Sequence, residues 1–137
     1  MTPEQYLKHA IILRGIEIYH IDGFDASNIT AENIDDKWNE LEEIDEDAIQ
    51  DGKNEIRCSG TETGLKCEYS RHYESDAVAA QMPDGTWVGW TYWHGGGKHG
   101  EPEAMDWMSD SYFLYCKEEE KVVTVRTFTR IEAANAQ

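Results

Sequence analysis

Basic residues are scarce in this chain. Twelve Lys and Arg stand against 28 Asp and Glu among 137 residues, for a formal net charge of −16. That deficit disfavours direct contact with a phosphate backbone, whose binding depends on neutralisation by Lys and Arg. It favours encounter with a positively charged protein surface, steered from a distance. Long apolar runs are missing too, so no membrane span is expected. The apolar run 10–13 is too short for a secretory leader, and the chain reads as cytoplasmic. Only three cysteines occur, Cys58, Cys67 and Cys116, at unrelated spacings. They read as free thiols in or near the core. Also absent are GxSxG, HExxH, CxxC and GxxxxGK[ST], the local signatures of a nucleophile elbow, a zinc protease, a redox or zinc pair and a phosphate loop. Enzymatic activity is therefore not favoured, and no cofactor is expected.

The length is that of one domain. Hydrophobic content is only 39%, but five Trp, seven Tyr and three Phe compensate, because each large ring buries roughly 150–250 Å². Residues 1–53 read as helical and acidic, and residues 54–137 as mainly β. A helix is expected from Thr2, as N-cap to Pro3, to about residue 20. Residues 22–28 form a loop by their turn residues. Thr30 is expected to cap a second helix, with Ile34, Trp38, Leu41, Ile44 and Ala48 on its apolar side and Gly52 as its stop. Residues 32–51 hold ten acids and one lysine, so the other side of that helix is nearly all carboxylate.

Past residue 54 the period changes. NEIRCS and LKCEYSRHYESDAVAAQM flank GTETG and read as a hairpin. The Pro-Asp-Gly of MPDGTW turns the long strand into WVGWTYWH. A short helix is expected near 102–114, then a last strand at 121–131, KVVTVRTFTRI, and a frayed tail, EAANAQ. The fold class is α+β: an antiparallel sheet of about four or five strands with helices packed on one face.

The segment WTYWHGGGKHGEPEAMDW, residues 90–107, concentrates the unusual chemistry. Strand alternation puts Trp90, Tyr92 and His94 on one face and Thr91 and Trp93 on the other. Such a strand is either central in a two-sided core or an exposed binding platform. Gly95, Gly96 and Gly97 permit close approach, and a helix N-terminus at Glu101 and Pro102 would point amides at the loop. Arg71, Trp93, His94, Lys98 and His99 make a candidate small-ligand site there. His94, His99 and Glu101, with Asp106, are weak metal candidates, as are Cys58, Cys67 and His72, at spacings that fit no standard zinc pattern. His72 with Glu74, and His99 with Glu101, could act as acid–base pairs. Arg71, among so many acids, is expected to be ion-paired or to lie against Trp90 or Trp93.

Residues 71–107 resemble a segment of small uncharacterised phage and prophage proteins, through WTYWHGGGKHGEPE. That family has no assigned activity, so the resemblance implies a genomic setting. In size and acidity the chain is also similar to phage inhibitors of host defence, the anti-CRISPR and DNA-mimic anti-restriction proteins. Together these imply a non-enzymatic protein that binds a basic, nucleic-acid-handling host protein, with no direct nucleic-acid or membrane contact. The expected partner surface is Asp35, Asp36, Glu40, Glu43 and Asp47 for charge, with Trp90, Tyr92, Trp93 and Lys98 as a second contact. The alternative is a small-ligand binder or metal-dependent enzyme at the loop 94–101. Oligomeric state is left open.

Overall fold

The structure, a computed structural model, describes residues 1–132; the expected tail at 132–137 lies outside it but for Glu132. Three helices, α1 (Pro3–Tyr19), α2 (Ile34–Ile44) and α3 (Glu46–Cys58), pack with a four-stranded antiparallel sheet. Its strands are β1 (Thr61–Glu62), β2 (Glu74–Gln81), β3 (Trp87–His94) and β4 (Tyr112–Leu114), in sheet order β1-β2-β3-β4. The fold is α+β, as the sequence pattern predicts.

Helix α1 starts on a reciprocal cap. The Gln5 amide N–H donates to the Thr2 hydroxyl, and the Thr2 N–H donates to the Gln5 side-chain oxygen. Apolar residues lie on more than one side of α1 because it is packed on two sides. Leu7 and Ile11 join Val78, Val88, Trp90, Trp93 and Trp107 in the core against the sheet. Ile12 joins Ile34, Leu41, Ala48 and Ile49 in a second core between the helices. Complete burial of each Leu or Ile contributes about 1.5–3 kcal/mol.

The expected single helix across 30–51 is two helices. Asp45 adopts an extended conformation (φ −160°, ψ 100°), and its carboxylate accepts the Asp47 N–H at 3.0 Å, starting α3. The apolar spacing runs through the break, which hid it in the sequence. The break has an electrostatic consequence. Asp35 and Asp36 sit in the first turn of α2, and Glu46 and Asp47 in the first turn of α3. Four carboxylates thus face the positive ends of two helix dipoles rather than one.

Gly52 is not a helix stop either. A Cβ there would lie 2.6 Å from the Ile11 carbonyl oxygen, and one on Gly15 would lie 2.3 Å from that of Ala48. The two glycines let α1 and α3 touch backbone to backbone. NEIRC consequently belongs to α3, and the first expected hairpin shrinks to the two-residue β1, with 63–73 irregular.

The β2–β3 hairpin forms as expected, in register from Glu74↔His94 to Gln81↔Trp87. Two expectations beyond it fail. The expected helix at 102–114 is a 3-10 turn at Pro102–Ala104 followed by β4. Residues 121–131 form no strand and are exposed throughout. The cysteines also miss the core: Cys58 and Cys116 are exposed, Cys67 is half-buried, and all three are free.

Candidate functional site

The hairpin register puts Glu74 opposite His94 and Asp76 opposite Tyr92, all on one face. His94 Nε2 lies 2.8 Å from Asp76 Oδ2, and Nδ1 lies 3.3 Å from Glu74 Oε2. The imidazole stacks on Tyr92 at 5.0 Å between ring centroids. On that same phenol sits the Arg57 guanidinium, 5.2 Å from the ring centroid. Arg57 Nη1 donates to the Trp93 carbonyl oxygen at 2.7 Å, and the Trp90 indole N–H donates to the Arg57 carbonyl at 3.2 Å. Burial, with the neighbouring Cys58 thiol, pushes the Tyr92 phenol above its ordinary value of 10.0; Arg57 opposes the shift. This cluster joins the end of α3 to the end of the hairpin. His94 thus sits between two carboxylates, hydrogen-bonded to Asp76 with the exposed Glu74 beside it.

The sequence pattern singles out His94 but misses Arg57 and Asp76. Asp76 was legible: a Pro-Asp-Gly turn closing two eight-residue strands fixes which positions face one another. Arg57 was not, because it lies in residues expected to be strand.

The glycine loop has a packing reason. Gly95, Gly96 and Gly97 have φ of 77°, 87° and 69°, a left-handed region that other residues rarely adopt. A Cβ on Gly96 would lie 2.6 Å from the Tyr73 ring, and the Tyr73 hydroxyl accepts the Glu101 N–H at 3.2 Å. The loop is wrapped over Tyr73. Gly95, Gly97 and Gly100 also have the G-x-G-x-x-G spacing of a dinucleotide fingerprint. Here they follow an antiparallel strand, and no α-helix opens after them, so the pyrophosphate-binding context is missing. The expected helix N-terminus at Glu101 and Pro102 is the three-residue turn, which offers no anion cradle.

The small-ligand candidates do not converge. Trp93 is 4% exposed and belongs to the core, whereas Arg71, Lys98 and His99 are exposed. Arg71 makes no ion pair among the described residues and lies over neither Trp90 nor Trp93. It lines an open cleft of about 580 Å³ with Tyr69, His72, Glu74 and Gly96. Among the described residues, no three His, Cys, Asp or Glu side chains are gathered as a metal would require. His94, His99 and Glu101 are thus not brought together, nor are Cys58, Cys67 and His72. Asp106 is engaged as a turn cap, accepting the N–H groups of Met108 and Ser109 and the Ser109 hydroxyl. Those hydrogen bonds, led by the Ser109 hydroxyl, hold its carboxyl below the usual range.

The aromatic half of the expected partner surface is likewise withdrawn. Trp90 is 0% exposed, packed on Trp107 at 5.5 Å between centroids, and Tyr92 is half-buried under Arg57. The strand carries rings on both faces because it is central. Lys98 remains exposed.

The acidic half is on the surface. Asp35, Asp36, Glu40, Glu43 and Asp47 are all exposed, with Glu42, Glu46 and Asp51 beside them in the sequence. Lys8 Nζ lies 2.9 Å from Asp35, and Lys37 Nζ lies 3.7 Å from Glu40. Asp36, Glu43 and Asp47 have no ion-pair partner among the described residues. The local potential is felt by Tyr19. Its hydroxyl bonds to Asp51, and with Asp47 and Asp45 nearby its pKa is pushed up to about 12. No helix among the described residues is long and apolar enough to cross a membrane. No family model, no curated protein and no solved structure matches this chain.

Proposed function

We propose that this chain is a non-enzymatic acidic protein that binds a basic protein through the exposed carboxylates of α2 and α3. The finer reading is a phage or prophage product that occupies a nucleic-acid-binding surface of a host protein, as a partial mimic of the phosphate backbone. The observation that carries the reading is the row of exposed carboxylates at Asp36, Glu43 and Asp47, free of internal cations among the described residues. A solvated acidic row with a net charge of −16 behind it attracts a basic surface from beyond contact distance. Trp90 and Trp93 have no part in this surface; Lys98 and the rim of Tyr92 lie at the far end of the hairpin.

The test is capture from a bacterial lysate with the wild-type chain and with the Asp36→Lys, Glu40→Lys, Glu43→Lys, Asp47→Lys variant. The wild type should retain a basic protein at low salt and release it at high salt, and the variant should retain none. Capture insensitive to salt, or equal capture by the variant, would sink the proposal.

A second reading rests on the cleft beside Arg71 and His72. A thermal-shift screen with nucleotides and divalent metals separates the two. Stabilisation by one ligand, lost in Arg71→Ala, favours the cleft.

A further inference from the structure

Beyond β4 the chain leaves the body. Residues 115–132 have no helix, strand or turn, and all are exposed. Val125 is 82% exposed and Phe128 87%. Yet within KVVTVRTFTRI, residues 121–131, every residue except Lys121, Arg126 and Arg130 is β-branched or aromatic. In extended form Val123, Val125, Thr127, Thr129 and Ile131 share one face, on which Lys121 at the start is the sole charge, and Val122, Thr124, Arg126, Phe128 and Arg130 share the other. This is a strand without a sheet.

The arm differs from the body in charge. It carries three bases and no acid, so the remainder of the chain bears −19 against the total of −16. Where the arm departs, the body has a seat. Thr61, Ala79, Trp87 and Leu114 share one face across all four strands by their register. With Leu65 they line a groove of about 320 Å³, with Glu62 at its rim and Tyr115 to Lys117 beside it. The root of the arm thus borders its own groove, and filling it from within one chain would need a reversal over Glu118–Glu120. An arm arriving from another molecule needs none.

We propose that residues 121–131 are an exchange arm: each lies extended across the groove on the sheet face of a second copy of this chain, between β1 and β4. The exchange is reciprocal about a two-fold axis, so one contact made twice closes the dimer. An arm of eleven residues spans roughly 35 Å, enough to cross the sheet. Val123, Val125 and Ile131 face the groove, while Arg126 and Arg130, on the outward side, give the arm a positive charge that the acidic partner body attracts. The proposal is independent of the acidic surface on α2 and α3.

Light scattering on the full chain tests it. The expected mass is twice the 15.7 kDa of one chain. Val125→Ser with Phe128→Ser, and separately Arg126→Glu with Arg130→Glu, should each raise the dissociation constant about tenfold or more, which is about 1.4 kcal/mol. Unchanged circular dichroism will confirm that the body stays folded. Cross-linking a mixture of isotopically light and heavy chains should join Lys121 of one copy to Lys66 of the other. A monomer at every concentration overturns the proposal, as does a dimer indifferent to both variants. So do cross-links confined to single chains, and a monomer whose arm becomes protected only on duplex DNA or on a different acidic protein.

Discussion

The β2–β3 hairpin and the arm at 121–131 have similar strand credentials, and only one of them is in the sheet. Both are rich in residues that favour strands, and both follow turn or loop signals. The hairpin has a helix to cover it: Leu7 and Ile11 lie on Val78, Val88 and Trp90, and Arg57 closes its far end. The arm has no such cover in the single chain. Strand propensity measures fit to a half-buried pleated surface, and it yields a strand only where that surface exists. A two-stranded unit is marginal by itself, so the hairpin is stable by virtue of α1 and α3.

The comparison breaks or holds first on paired truncations. Trp90→Ala removes a fully buried ring between α1 and Trp107 and should cost about 3–5 kcal/mol in urea denaturation. Phe128→Ser, measured on dilute protein, should change stability by less than about 0.5 kcal/mol, because the ring touches solvent. A large loss from Phe128→Ser at a dilution where only monomer exists would mean that the arm belongs to the body after all.

That contrast also marks what was legible in the sequence. The hairpin could be read because its evidence is local: alternation on both sides of a Pro-Asp-Gly turn. The start of α1 was legible for the same reason, through Thr2 and Pro3. What failed depended on partners distant in the chain. Gly52 reads as a stop until Gly15 and Ile11 are known to press against it. Trp90 and Trp93 read as a binding platform until Trp107 and α1 are seen to cover the strand. Asp45 broke a helix whose apolar period was continuous, since a cap competes locally with a stripe set by packing. At the candidate site, the exposed carboxylates of α2 and α3 were legible from charge alone. The withdrawal of the aromatic half from the surface was not.

Arg57 offers a finer comparison, because it is the hairpin's link to α3 and has no counterpart in the arm. Arg57→Ala leaves the Trp93 carbonyl without its donor and uncovers Tyr92, at a cost of about 1–3 kcal/mol. The guanidinium Nε is itself buried without a partner, so the loss should fall toward the lower end of that range. Hydrogen exchange on protein dilute enough to be monomeric would locate the effect at the β3 end near His94, with the arm amides unprotected in wild type and variant alike. Equal protection loss throughout the sheet would show that Arg57 supports the whole core rather than one end of the hairpin.

Alkaline titration gives the smallest effect and the most local one. The Tyr92 phenol is raised above 10.0, chiefly by burial and secondly by the Cys58 thiol. A folded-state value above the unfolded one means that folding favours the neutral phenol. That contribution is fully present below pH 10.0 and is lost as pH rises through the raised value. Tyr92→Phe keeps the ring under Arg57 and removes the ionising group. The variant should therefore keep a flatter stability curve above pH 10.0 than the wild type, with little difference at neutral pH. Tyr19, whose value is pushed up to about 12 by Asp51, provides the control on the acidic side of the molecule. Tyr19→Phe should flatten the same curve between pH 10.0 and about 12, and the two effects should add, because the residues share no partner. A wild-type curve as flat as that of Tyr92→Phe would mean that the phenol is solvated, and that the stack of Arg57, Tyr92 and His94 does not shield the end of the hairpin.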